Sequence, residues 1–324
     1  MLTKNSHRQA RWLLFCVSVC LILVTASPVS AQALPVHKLV VPFPPGGSLD
    51  RVARMMALEL QTKTGQTYVV ENLPGADGAL GAEYVLRQPA DTKSKTWLMT
   101  NTFLTTGQAL GLFKFDVLKA FKPVIQLGEA EILVVSRPGF AWSDVSDLLT
   151  QGRRGGQNVS CAGPPGQLIM ACELLARQFP GQVVAVPFKG ELQAIQSLMG
   201  GHVDMMFATR TAAYELIQAG RLQLLANAGR RAASPPFEKA PRIGAIVPGL
   251  ELSGFMGVYA VSSADNGEIE KFNQLINEVL QSTSLAAFMH SSHIERVGGS
   301  PAVMHDVFLQ HVAQQRRWFP GSPR

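Results

Sequence analysis

Two glycine-rich segments, each set between an apolar run and an amphipathic run, have the residue types for binding an anion. The first is PFPPGGSLD, residues 42–50, and the second is SCAGPPGQL, residues 160–168. Glycine lets backbone approach a ligand without a Cβ in the way. The first amides of a helix lack partners and favour negative charge. Each segment alone is also typical of a plain strand-to-helix turn, but the pair predicts a carboxylate cradle made mostly of main chain.

Single reactive residues give weaker indications, and each has an ordinary alternative. Cys161 at a helix N-terminus would be an activated nucleophile, or it is simply a small polarizable residue in place of a serine. Asp50 either orders its loop and complements the helix dipole or contacts a ligand amine. Lys189 either pairs with a ligand carboxylate or is an exposed lysine. Ser48 is a candidate helix cap or hydroxyl donor.

Other chemistries find little support in the sequence. The first glycine-rich segment has no lysine after its glycines, so it is not a phosphate loop of the GxxxxGK[ST] type. The seven histidines show no zinc-like spacing, and His290 and His293 are the nearest pair. No G-x-S-x-G elbow is present. We therefore expect a non-catalytic protein without metal or cofactor, and an exported hydrolase using Cys161 is the less favoured alternative.

Alternating strand and helix patterns position these loops. Three apolar runs predict buried strands separated by helices: HKLVVPF, TYVVEN and TWLMT. We expect the first helix to end at Gly65. The same alternation restarts at QNVSC and continues through QVVAVPF and VDMMFA. This order predicts an α/β protein with two lobes, each a mostly parallel sheet flanked by helices. We expect lobe 1 to comprise residues 34–130 and 254–324, lobe 2 residues 131–253, with a ligand cleft between them and two crossing strands as the hinge.

The first residues have the features of an export signal. Lys4, Arg8 and Arg11 precede the apolar run WLLFCVSVCLILVTA and the small-residue segment SPVSAQA. The run is shorter than the roughly 20 residues of a membrane-spanning helix, so an uncleaved anchor is the minor alternative. We expect residues 1–33 to be a cleaved signal peptide, ending at Ala31 or Ala33, and the mature chain to reach a bacterial periplasm.

The mature chain would carry 26 basic and 23 acidic residues, since the leader removes three of the 29 basic ones. No basic stripe with interleaved aromatic residues remains, so nucleic acid is not an expected partner. Two cysteines remain, Cys161 and Cys172. If both lie on one helix, they are about 16 Å apart, whereas a disulfide needs Cα atoms within about 7 Å. On that basis we expect no disulfide.

Longer segments carry a family resemblance. Four segments occur in an order and spacing that resemble the Bug family, the periplasmic solute receptors of tripartite tricarboxylate transporters. These segments are VPFPPGGSLDRVAR, VVENLPGADGALGAE, VPFKG and LMGGHVDMMF. The resemblance runs from about residue 36 to residue 318. It implies a type II periplasmic-binding-protein fold and a monomer that closes on a small organic acid. It also implies delivery of that acid to membrane permease subunits, with ligand sensing for a signalling partner as the alternative.

The resemblance also implies that backbone groups hold most of the ligand. The substrate-binding residues carried over to this chain are Phe43, Gly46, Gly47, Ser48, Asp50, Gly75, Ala76, Cys161, Gly163, Gly166, Phe188, Lys189, Gly190, Ala208 and Thr209.

The sequence departs from the family pattern at several of these loops. The family usually has a second hydroxyl residue at Leu49, Ser at Cys161, Gly at Pro165, His at Ile169 and a polar residue at Ala208. PADTKSKTWLM and Arg242 are further departures. Because several changes remove polar groups, we expect a less polar ligand than a tricarboxylate, such as an aromatic or branched monocarboxylate, or weaker binding.

Overall fold

The structure, a computed structural model, describes residues 36–88, 95–142, 144–147, 158–164, 166–179 and 183–320. The predicted signal peptide, Pro165 and most of the PADTKSKTWLM segment lie outside these ranges. The described residues belong to one unit, Pro35–Arg324. No helix among them is long and apolar enough to cross a membrane.

The first sheet has six strands, drawn from both ends of the chain. They are β1 (Val36–Val41), β2 (Thr67–Asn72), β3 (Lys95–Asn101), β4 (Phe121–Ala130), β10 (Gly254–Val261) and β11 (Ile294–Arg296). Their order is β11-β4-β10-β3-β1-β2. β1 pairs in parallel with β2 and β3, whereas β10 is antiparallel to β3 and β4.

Among the described residues, seven α-helices accompany this sheet. They are α1 (Ser48–Thr64), α2 (Ala79–Leu86), α3 (Phe103–Leu110), α4 (Val117–Ala120), α9 (Asn266–Leu280), α10 (Thr283–Ser291) and α11 (Pro301–Trp318). In α1 the residues Val52, Met56 and Leu60 are fully buried, as the helical spacing predicts. Gly65 ends α1 in the left-handed conformation, with φ 68°, and its amide donates to Gln61 O at 2.8 Å.

The second sheet has five strands with the order β7-β6-β8-β5-β9. They are β5 (Ile132–Ser136), β6 (Val159–Gly163), β7 (Val183–Pro187), β8 (Met205–Thr209) and β9 (Gln223–Asn227). β6 is parallel to β7 and β8, and β5 is antiparallel to β8 and β9. The accompanying helices are α5 (Gln167–Gln178), α6 (Glu191–Met199), α7 (Arg210–Gln218) and α8 (Ile243–Ile246).

Buried apolar side chains lie on both faces of each sheet. Helix α11 joins the two cores. Met304 and Phe308 lie in the core of the first sheet, whereas Trp318 packs in the core of the second. The Trp318 indole donates to Gly249 O at 2.7 Å, which satisfies its one polar group. The chain itself passes from the first sheet to the second at Glu131, between β4 and β5.

The prediction that Cys161 and Cys172 are too far apart is wrong. The two residues form a disulfide, with Cα atoms 5.6 Å apart. Cys161 lies on strand β6 and Cys172 on helix α5, so the distance along a single helix does not apply. The chain reverses after β6, and α5 packs back against that strand, which brings residues eleven positions apart together. Both sulfurs are fully buried, and the bond excludes the alternative of Cys161 as a thiolate nucleophile.

Candidate ligand-binding site

The carboxyl ends of parallel strands gather the sequence-predicted site residues at one edge of each sheet. In the first sheet, β1 lies between β2 and β3, so the loops that follow all three strands leave from the same edge. In the second sheet, β6 lies between β7 and β8 in the same way. In both sheets the strand order reverses at the middle one of these three strands, and open α/β sheets bind ligands in the crevice at such a position.

The loop after β1 presents backbone amides at the start of α1. Gly47 is the N-cap of this helix and no side chain caps it. Ser48 is therefore the first helical residue, not the cap. The amides of Gly47, Ser48 and Leu49 lie where the helix provides no acceptor. Gly46 has φ +91°, a conformation that glycine adopts without strain. This loop can therefore offer several amides to one anion.

The buried side chain of Asp50 holds this loop in place by hydrogen bonds. It is only 3% exposed and accepts hydrogen bonds from the Gly46 amide at 2.9 Å, the Asn72 amide group at 2.9 Å and Arg54 Nε at 3.1 Å. Burial raises the pKa of the Asp50 carboxyl. The hydrogen bonds from Arg54, Gly46 and Asn72 outweigh that effect and hold the pKa below its ordinary value of 3.8. The Gly46 amide is thus committed to Asp50, which leaves the later amides for a ligand.

Asn72 and Arg54 are site residues that our sequence reasoning did not single out. Asn72 ends β2, and its amide group also donates to Phe43 O at 3.2 Å, while Arg54 donates to Asn72 Oδ1 at 2.9 Å. Together with Asp50 they tie the loop after β1 to the end of β2. Both residues lie inside the segments that carry the family resemblance. Their place in those segments is the feature of the sequence that could have identified them as site residues.

The loop after β2 has unusual backbone conformations. Gly75 has φ +135°, and Ala76 has φ +45°, a region that residues with a side chain seldom occupy. Both residues are exposed. A Cβ on Gly75 would lie 2.5 Å from Leu80 Cδ1, and one on Gly78 would lie 2.9 Å from Phe103 Cε1. Such local strain persists where the surroundings impose it and is frequent at ligand-binding loops.

Phe103 connects the loops of the two sheets, and the sequence reasoning missed it. It follows β3, is 2% exposed, and contacts the Phe43 ring edge to face with centroids 6.2 Å apart. On the other side, a Cβ on Gly166 would lie 3.9 Å from both Phe103 Cα and Thr106 Oγ1. The loop after β6 therefore meets the start of α3. A phenylalanine after an apolar strand is typical of an ordinary core residue, so its sequence carried no special signal.

In the second sheet, four predicted residues occupy different environments. Cys161 and Ala208 are fully buried in separate hydrophobic clusters, so only their backbone could face a ligand. Gly163 sits against Ile169, where a Cβ would lie 2.5 Å from Ile169 Cα, and only glycine fits there. Gly166 has φ +97° and is the N-cap of α5.

Three of the departures from the family pattern have side chains in hydrophobic cores. Leu49 is 5% exposed, and Cys161 and Ala208 are fully buried. These three side chains are therefore part of the cores, and the expectation of a less polar ligand stays a prediction.

The loop after β7 brings Phe188, Lys189 and Gly190 to the same edge. The Phe188 amide donates to Gly163 O at 3.0 Å, which ties this loop to the end of β6. Lys189 is exposed. Gly190 is the N-cap of α6 in an extended conformation, with no side-chain cap.

Glu191, which we did not predict, links this loop to the end of β8. Its two carboxyl oxygens accept from the Thr209 amide at 2.6 Å and from the Thr209 hydroxyl at 3.0 Å. Burial raises the pKa of Glu191 to about 7, although both hydrogen bonds from Thr209 oppose the shift. An acid in the first turn of a helix is common, and for that reason the sequence did not distinguish this one.

A cavity lies at the opposite end of the second sheet from these loops. It is about 320 Å³ and is lined by Arg137, Phe140, Ala141, Trp142, Asn158, Val159 and Asp204. Asn158 and Val159 are at the amino end of β6, far along the sheet from the loops described above. Within the ranges that the structure describes, no group of three or more His, Cys, Asp or Glu residues is arranged to hold a metal.

Comparison with known proteins assigns the family. The model of the tripartite tricarboxylate transporter family receptor matches residues 52–317, most of the chain. The chain belongs to this receptor family. Protein BugT of Bordetella pertussis is 30% identical over 278 residues, which cover 80% of this chain and 81% of BugT. The resemblance to Bug receptors is therefore confirmed.

Solved structures of other proteins have the same fold as this chain. A protein from R. palustris, solved with adipate, gives a TM-score of 0.77 at 24% identity, covering 87% of this chain and 96% of that one. MatC from Rhodopseudomonas palustris, solved with bound malate, gives a TM-score of 0.76 at 23% identity. The match covers 90% of this chain and 99% of MatC. The receptor has the two-lobed periplasmic-binding-protein fold that we predicted.

Proposed function

We propose that this receptor binds a small carboxylate-bearing organic acid between its two lobes and delivers it to the membrane permease of a tripartite tricarboxylate-type transporter. The proposed lobes are residues 34–130 with 254–324, and residues 131–253. The receptor does not transform its ligand and acts as a monomer.

The observation that carries this proposal is the meeting of the glycine-rich loops of the two sheets at Phe103. The loop after β1 presents the amides of Gly47, Ser48 and Leu49, and Asp50 holds that loop in place. Gly166, from the loop after β6, lies next to Phe103. A carboxylate bound at the start of α1 would gain hydrogen bonds to the amides and a favourable interaction with the helix dipole.

The similar structures support a carboxylate ligand. Adipate and malate, the acids named with two of them, are both small dicarboxylates. Receptors with this two-lobed fold bind in a cleft that closes by a hinge motion, and binding without turnover agrees with membership of a transport-receptor family.

The disulfide supports the proposed export to the periplasm. Disulfides persist in oxidising compartments such as the periplasm and are rare in the cytosol. The Cys161–Cys172 bond therefore fits the predicted cleavage of residues 1–33 and secretion of the remainder.

A thermal-shift screen of organic acids on the mature receptor tests the proposal. A ligand at 100 times its Kd stabilises the folded state by about 2.7 kcal/mol, which raises the Tm measurably. The variant Gly47→Val should show a clearly smaller shift at the same ligand concentration. Gly47 has φ −70° and open space around its Cβ position, so valine fits the fold but blocks the amides. We expect about 1 kcal/mol of lost stability from the poorer N-cap and at least a tenfold loss of affinity.

Glu270→Val is the matched control, because it places the same side chain on the exposed face of α9. This helix begins beyond Val261, at the opposite edge of the first sheet from the loops. The Glu270→Val receptor should bind the ligand as tightly as the unchanged receptor does. Unchanged binding by Gly47→Val, or no Tm shift with any acid, would contradict the proposed function.

A further inference from the structure

Glu191 occupies the centre of the carboxyl edge of the second sheet. It begins α6, directly after the loop that leaves β7, and its carboxyl group reaches Thr209 at the end of β8. Because β6 lies between β7 and β8, this contact spans the end of β6, where Gly163 and Gly166 lead into α5. The carboxyl group therefore stands among the loops that form the second half of the proposed site.

The Glu191 carboxyl group already uses donors that an anion would need. Thr209 is the N-cap of α7, and both its amide and its hydroxyl are directed to Glu191. A ligand carboxylate at this place would have to compete for the same hydrogen bonds. It would also approach a group that carries the same charge once ionised.

No cation balances Glu191 within the described part of the chain. Each ion pair found there joins other residues. Asp50, the acid at the corresponding place in the first sheet, is different because Arg54 pairs with it at 3.0 Å. The two halves of the site are thus unequal. The first half offers free amides, and the second half offers a carboxylate with no counter-ion.

We infer that Glu191 is a specificity-determining residue that selects monocarboxylates carrying a hydrogen-bond donor, above all an ammonium group, and disfavours dicarboxylates. This inference rests on the proposed function. The ligand carboxylate binds at the start of α1, and its far end lies against Glu191. An ammonium group supplies the missing counter-ion there, whereas a second carboxylate adds an unpaired like charge.

Acids of equal length that differ only at the far end test this inference. Isothermal titration measures the affinities of two sets of acids: adipate, 6-aminohexanoate and hexanoate, and the shorter succinate, 4-aminobutanoate and butanoate. The titrations are made at about pH 8, because a carboxyl group with a pKa of about 7 is ionised there. The unchanged receptor should bind the amino acid of at least one set about tenfold more tightly than its dicarboxylate. Glu191→Gln, which keeps the shape and removes the charge, should reduce this ratio at least tenfold.

Two further variants separate charge at the site from other effects. Glu191→Asp keeps the charge and should keep the order of affinities. Glu215→Gln removes an exposed acid from α7, in the same half of the molecule, and should leave the ratio unchanged. Tighter binding of the dicarboxylate by the unchanged receptor, or an unaltered ratio in Glu191→Gln, would overturn the inference and leave the proposed function standing. Absence of binding by every acid to every variant would overturn both.

Discussion

Asp50 and Glu191 are both acids in the first turn of a helix at the carboxyl edge of a sheet, and their surroundings give them opposite properties. Asp50 accepts hydrogen bonds from Arg54, Gly46 and Asn72, which keep it ionised. Burial raises the pKa of Glu191, and the partners that its carboxyl group has within the described ranges are the neutral amide and hydroxyl of Thr209. The sequence shows two equivalent helix-start acids. The difference depends on which side chains the fold brings near them, and no local pattern encodes that.

Replacement of Asp50 tests its role in ordering the loop after β1. Asp50→Asn should lower the free energy of unfolding by about 1–3 kcal/mol near neutral pH, because hydrogen bonds to a buried charged group are lost. The folded pKa lies below the ordinary value of 3.8. The ionised carboxyl group therefore stabilises the fold above that pH, and its contribution disappears as the pH falls through the folded pKa.

Urea unfolding at several pH values measures this difference. The gap between the unchanged receptor and Asp50→Asn should narrow below about pH 3.8. Glu238→Gln, which alters an exposed acid, should show no comparable gap. A difference that stays constant down to the acid range would show that the charge of Asp50 does not stabilise the loop.

At the scale of elements, strand–loop–helix units place most of the site. The apolar runs and glycine stops predicted these units well: the first helix, for example, was expected to end at Gly65, and Gly65 is its C-cap. The disulfide could not be predicted from spacing along the chain. Its formation depends on how α5 packs against β6, which is a tertiary contact. Phe103 was missed for a related reason, since its importance comes from contacts with Phe43, Gly78 and Gly166 that lie far away in sequence.

Loss of the disulfide should destabilise the second sheet. The double variant Cys161→Ala, Cys172→Ala should have a free energy of unfolding about 2–3 kcal/mol lower, because a crosslink between residues eleven positions apart restricts the unfolded chain. Urea unfolding with and without reductant measures the effect. Reductant should lower the stability of the unchanged receptor by a similar amount and leave the double variant unaffected. Two free thiols in the unreduced, unfolded receptor would contradict the assignment.

At the scale of the whole molecule, one helix links two sheets that have separate cores. Helix α11 packs Met304 and Phe308 into the first core and Trp318 into the second. The alternation of strands and helices was enough to predict two α/β halves. The choice of ligand belongs to this scale as well, because it depends on what each half presents to the other across the site.

A crystal structure of the receptor with an acid selected by the thermal-shift screen tests the central claim most directly. The ligand carboxylate should lie within hydrogen-bonding distance of the amides of Gly47, Ser48 and Leu49, and the far end of the ligand should lie toward Glu191. A ligand bound elsewhere, for instance in the cavity beside Arg137 and Trp142, would contradict it.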